Sequence, residues 1–209
     1  MKKRVFIPLL LLCVMLLCPG CLMAMDLPMT IRYQRDEITD LSDVRFQSLW
    51  NGKLVEGDVQ YVMDVCAEEK TSVFGFRLSD EPDTLYYLLW LQDSYLVLET
   101  KDQFDALDQL CDDTWTYLQT DPDTAVKPEN TVHIQGEAVE MPDKIREYAA
   151  AWLTDAGFSD KNITDNLEPY MLRSLDYRDI QTKVYVGIAM AVVGLGGLIV
   201  LLVMKRRMG

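Results

Sequence analysis

The sequence predicts an α+β protein, a small antiparallel curled sheet or open barrel with packed helices, followed by a C-terminal transmembrane helix. Three observations carry this. Segments of period-two alternation come in pairs between residues 58 and 99. The apolar period lengthens to helical spacing over residues 104–118 and again after Pro142. Residues 184–204 then hold no charged side chain. The chain has 209 residues and formal net charge −13, and every Asp and Glu lies between Asp26 and Asp179. Basic triplets close both ends, Lys2-Lys3-Arg4 and Lys205-Arg206-Arg207. An acidic centre between two apolar termini reads as a membrane protein. It also excludes nucleic acid as a partner, because such a surface repels the phosphate backbone.

The N-terminal triplet precedes an apolar run from Val5 to Met25, the charged and apolar regions of an export signal. Residues 1–24 therefore read as a signal peptide or an N-terminal signal anchor. Pro8 and Pro19 oppose a continuous spanning helix. Cys18-Pro19-Gly20-Cys21 resembles the end of a bacterial lipobox, which would make Cys21 a lipidation site. Cleavage after Ala24 is the other option, and Cys13, Cys18 and Cys21 also read simply as apolar residues of the run.

At the other end, residues 184–204 span roughly 31 Å at ~1.5 Å per residue, enough to cross a bilayer. Lys205, Arg206 and Arg207 put the tail 205–209 in the cytoplasm and the body outside, in a single-pass arrangement. Gly187, Ala191 and Gly194 share one helix face, a stripe suited to close helix pairing.

Between the ends, residues 25–49 read as an irregular lead-in, 50–175 as one extracytoplasmic α+β domain and 176–183 as a juxtamembrane segment. Val59, Tyr61, Met63 and Val65 alternate with polar residues and predict a strand that pairs with Ser72–Leu78 as a hairpin. Leu85–Leu91 is apolar on both faces, as a central strand is, and Asp93-Ser94 turns it into Tyr95–Glu99. Phe104, Leu107, Leu110, Cys111, Trp115 and Leu118 line one side of a helix, with Thr100 and Gln103 as a capping box. Thr131–Val139 alternates again, Gly136 reading as a bulge. Pro142 opens a helix that Gly157 stops, and Ser159 caps a short one before Pro169.

Leu54-Val55-Glu56-Gly57-Asp58-Val59 and His133-Ile134-Gln135-Gly136-Glu137-Ala138-Val139, with Tyr86-Tyr87-Leu88-Leu89-Trp90-Leu91 between them, resemble segments of exported, membrane-anchored proteins of unknown function from Gram-positive bacteria. They are more distantly similar to small OB-like barrels. The resemblance implies location and fold and carries no catalytic motif.

The chemistry in the sequence is sparse. His133 is the sole histidine, so any triad would need it as base, and no nucleophile motif accompanies it. Zinc would draw on His133, Cys66 and Cys111, far apart in sequence. Cys66 and Cys111 read either as a disulfide or as packed thiols. Asp80, Glu81 and Asp83 in one loop, and Asp121 and Asp123 in another, lack calcium-loop spacing and read as solvated surface. No catalytic, metal or cofactor set is assembled, and no cofactor is expected. The expectation is a non-enzymatic extracytoplasmic binding or interaction module, integral to the membrane, with a membrane or envelope protein as partner. Two other readings stand beside it: a cell-envelope hydrolase using Asp80 or Asp83, and a small subunit of a membrane complex paired through Gly187, Ala191 and Gly194.

Overall fold

A computed structural model describes residues 3–35, 37–70, 72, 73, 76, 77, 81–122 and 124–208. The chain divides into two compact units, Met1–Glu37 with Asp176–Gly209, and Ile38–Leu175.

In the first unit, α1 (Lys3–Met23) runs unbroken through Pro8 and Pro19, and the short α2 (Leu27–Gln34) follows it. The long C-terminal helix of this unit is Tyr177–Met208. Both it and the segment Ile7–Gln34 are long and apolar enough to cross a membrane. Their outward faces are apolar: Leu11, Leu12, Met15 and Leu22 on one helix, and Val192, Leu195, Ile199 and Leu202 on the other, are all exposed. So much contiguous apolar surface suits hydrocarbon rather than water.

The body Ile38–Leu175 is mixed α+β. Its strands are β1 (Ile38–Asp40), β2 (Leu54–Val59), β3 (Val62–Glu69), β4 (Ser72–Val73), β5 (Phe76–Arg77), β6 (Thr84–Trp90), β7 (Tyr95–Thr100), β8 (Val132–Glu140) and β9 (Tyr170–Ser174). Its helices are α3 (Phe104–Gln119), α4 (Asp143–Asp155) and α5 (Asp160–Asn166); the C-terminal helix is then α6. Seven strands form one open sheet in the order β1-β2-β8-β9-β7-β6-β3. The expected antiparallel sheet or OB-like barrel is therefore corrected. The sheet does not close, and β1–β2 and β7–β9 pair in parallel.

Helices cover both faces of this sheet, which explains the continuous apolar run of β6. Leu85, Tyr87 and Leu89 point into a core completed by Leu107 and Leu110 of α3. Tyr86 and Leu88 point the other way, against Ala149 and Leu153 of α4 and Ile163 of α5. The lead-in is likewise not irregular, since it holds α2 and β1, and Leu41 and Val44 are core residues.

Three local expectations change. β3 pairs with β6, while Ser72–Val73 pairs with Phe76–Arg77 in a separate ribbon. The capping box does not form: Gln103 is left-handed with no side-chain cap, and the Thr100 hydroxyl bonds Asp102 instead. The bulges lie not at Gly136 but in the edge strand β3, between Val62 and Asp64 and between Val65 and Ala67. There Met63 O accepts Trp115 Nε1–H at 2.7 Å and Cys111 S–H at 3.3 Å, and Thr114 Oγ1 accepts Val62 N–H at 3.1 Å. Across the strand, Trp152 Nε1–H donates to Asp64 Oδ2 at 3.0 Å. Trp115→Phe should thus cost about 1–2 kcal/mol by leaving that carbonyl with a weak thiol donor. A urea titration followed by tryptophan fluorescence checks this, and an unchanged midpoint would refute it.

Candidate functional site

A cleft in the body is built by a turn, a linker and two helices. The turn Arg45–Ser48 closes through Ser48 N–H to Arg45 O at 2.8 Å and Arg45 N–H to Ser48 Oγ at 2.9 Å. It carries Gln47 at φ 59, a left-handed conformation that costs a non-glycine residue about 1–2 kcal/mol. The segment between α5 and β9 brings Leu167, Glu168 and Pro169, pinned by Glu168 N–H to Tyr95 O at 2.9 Å. α4 and α5 add Arg146, Ala150, Ile163 and Thr164. The cleft has a volume of about 320 Å³, at the small end for ligand sites.

Glu168 is its unusual feature. The side chain is 0% exposed. Its Oε1 accepts Gln47 N–H at 3.0 Å, and its Oε2 has no partner among the described residues. Buried acceptors are ordinarily satisfied, and a buried carboxylate more so. Burial pushes the Glu168 carboxyl up to about 7, Asp93 adds to the rise, and Gln47 N–H and the Lys53 ammonium oppose it. Lys53 is engaged elsewhere: its Nζ donates to Ser48 O at 2.9 Å and lies 4.3 Å from the Trp50 ring centroid. Arg146 Nη2 donates to Pro169 O at 3.2 Å.

A second groove, of about 250 Å³, runs beside Tyr61 and Trp90, whose rings stand 5.2 Å apart. It contains no buried polar atom left without a partner among the described residues.

A family model described as "Domain of unknown function (DUF8577)" matches residues 5–205. The chain belongs to the DUF8577 family. No curated protein and no solved structure matches it.

The residues that the sequence singles out in this DUF8577 chain fall in several places. His133 stands opposite Asp58 across β2 and β8, with Nδ1 at 2.9 Å from Asp58 Oδ1, and both side chains are exposed. Cys66 and Cys111 are free thiols. Cys66 S–H donates to Tyr86 O at 3.3 Å, and burial pushes both thiols up to about 12. That makes each a poor nucleophile. Asp80 and Asp123 lie outside the described residues. Asp83 N–H donates to Glu69 O at 3.0 Å, and Asp121 O accepts Thr124 and Ala125 N–H at 2.8 Å. Among the described residues no three His, Cys, Asp or Glu side chains group as a metal site requires.

The small-residue stripe is occupied within its own unit. A Cβ on Gly20 of α1 would lie 2.6 Å from Ala191 N and 2.7 Å from Gly187 O. One on Gly187 would lie 2.6 Å from Met23 Cβ, and one on Gly194 2.8 Å from Cys13 O. The helices run antiparallel with backbones nearly touching, as small residues permit. Cys21, the residue after Gly20, is exposed on α1.

Sequence reading missed Glu168 altogether. It is one acid among 33 Asp and Glu, and its only local signal is its apolar flanks, Leu167 and Pro169.

Proposed function

We propose that the chain is a membrane-held, non-enzymatic binding module. Its body is displayed outside the cytoplasm, and α1 is retained beside α6 as a two-helix transmembrane anchor. One observation carries the reading, the close fit of Gly20 against Gly187 and Ala191. Removal of residues 1–20 or 1–24 by signal cleavage would strip this contact and leave a glycine face in lipid with nothing packed on it.

Two facts support retention. The family match begins at residue 5, inside α1. The antiparallel pairing also sets the N-terminal end of α1 beside the C-terminal end of α6, and the sequence is basic at both of these ends, so one orientation satisfies the positive-inside preference of both helices. This replaces a single span by two and leaves the body's side unchanged. The glycine face serves the chain's own α1 rather than another subunit.

Intact mass of the protein extracted from membranes should show α1 still attached. Epitope tags at both ends should survive external protease on intact cells while the body is cut away. A mature chain beginning at Cys21 or Met25 refutes retention, and an externally cleaved C-terminal tag refutes the orientation.

A further inference from the structure

We infer that the Glu168 cleft is a receptor site for a small amine, with the ligand's ammonium at Glu168 Oε2, its apolar body against Phe46, Ile163 and Leu167, and any carboxylate it carries at Arg146. The inference rests on the reading of the body as a binding module and names what the module takes.

The chemistry of the cleft selects this class. An ionised carboxylate only accepts hydrogen bonds, so the natural partner of its orphaned oxygen is an N–H donor, best a charged one. Among the described residues no cation hydrogen-bonds it: Lys53 donates to Ser48 O and lies over the Trp50 face, and Arg146 donates to Pro169 O. The carboxylate is fixed beforehand, its backbone tied to Tyr95 O and its Oε1 to Gln47 N–H. The carboxylate itself therefore needs no reordering, and because Glu168 is 0% exposed, binding requires the cleft wall to part around Oε2. Beside the polar Gln47 and Thr164, most of the remaining lining is apolar, with Phe46, Ile163 and Leu167 its largest side chains, while Arg146 is exposed and supplies positive charge for an acid group. Amine, short apolar body and carboxylate together describe an apolar α-amino acid or the end of a short peptide.

Three probes separate these contributions on the full-length protein in detergent. L-leucine carries both charged groups, leucinamide lacks the carboxylate, and 4-methylpentanoate lacks the amine. Leucine and leucinamide at about 10 mM should raise Tm, since a ligand bound to the native state alone stabilises it, and 4-methylpentanoate should not. Glu168→Gln should weaken both amines at least about tenfold, the loss of a charge-assisted bond. Arg146→Gln should weaken leucine and spare leucinamide. A urea titration of each variant confirms that it is folded.

Absence of a Tm response to both amines overturns the inference, as does a response that Glu168→Gln leaves intact, which would place the amine elsewhere. A response to 4-methylpentanoate alone also overturns it while keeping a ligand site in the body. None of these results bears on the intact-mass experiment, so the anchor and the ligand class fail separately.

Discussion

Gly136→Val should destabilise the body by about 3 kcal/mol or more, enough to leave much of the protein unfolded. Gly136 sits in β8 between two hydrogen-bonded neighbours, opposite Val55 of β2 and Ser174 of β9. A Cβ there would lie 2.5 Å from Arg173 O, 2.8 Å from Leu172 Cγ and 3.0 Å from Leu172 Cδ1. The nearest atom is a main-chain oxygen of a central strand, and Leu172 is fully buried, so relief requires shifting the β8–β9 ladder itself. Gly157 is the control. Its φ is 95, and a Cβ there meets nothing within 4 Å, so Gly157→Ala should cost only the left-handed backbone penalty, about 1 kcal/mol. All four tryptophans, Trp50, Trp90, Trp115 and Trp152, lie in the body, so fluorescence during urea unfolding reports it directly. Equal costs for the two substitutions would show that backbone freedom, not the approach of β9, explains Gly136.

The same glycine marks where sequence reading reaches its limit. A glycine inside an alternating strand means either a bulge or a close neighbour, and choosing requires knowing what lies beside it. What lies beside it is β9, which the sequence hides. Tyr170–Ser174 is five residues long and buried at two successive positions, Met171 and Leu172, so it shows no alternation. Missing β9 removes the link between β8 and β7. The two hairpin-like halves then appear as a small curled sheet instead of one open sheet of seven strands.

Elements with strong local signals were legible. β6 and β7 pair through the Asp93-Ser94 turn as expected, Gly157 ends α4, and Ser159 caps α5, its Oγ accepting Asn162 N–H. Thr100 and Gln103 misled, because a capping box needs its hydroxyl free, and Thr100 uses its own on Asp102. The glycine stripe of α6 was visible from spacing alone. Its occupant, α1, was not, because periodicity gives a face and never its partner.

Glu168→Gln should stabilise the ligand-free protein at pH 8 by up to about 3 kcal/mol and leave it nearly unchanged at pH 5. Burial pushes the folded carboxyl from an ordinary 4.5 up to about 7. Between those values the folded state holds a proton that the unfolded chain has released. Stability is therefore full below about 4.5 and falls as pH rises through about 7, the opposite of a salt-bridged carboxylate. Lys53 and Asp93 face the group electrostatically, with opposite effects, and Arg146 lines the same cleft. Glutamine can still accept Gln47 N–H but has no charge to desolvate, so the variant's stability should lose this dependence. Urea midpoints at pH 5, 6, 7 and 8 test it, and a difference between the two proteins that stays constant with pH would sink the argument. A carboxylate that weakens the fold once ionised fits a site whose partner arrives from outside. An ammonium at Oε2 would favour the ionised form that folding disfavours, so leucinamide, still mostly an ammonium at pH 7, should recover there part of the stability that deprotonation removes, and should do so in the wild type and not in Glu168→Gln.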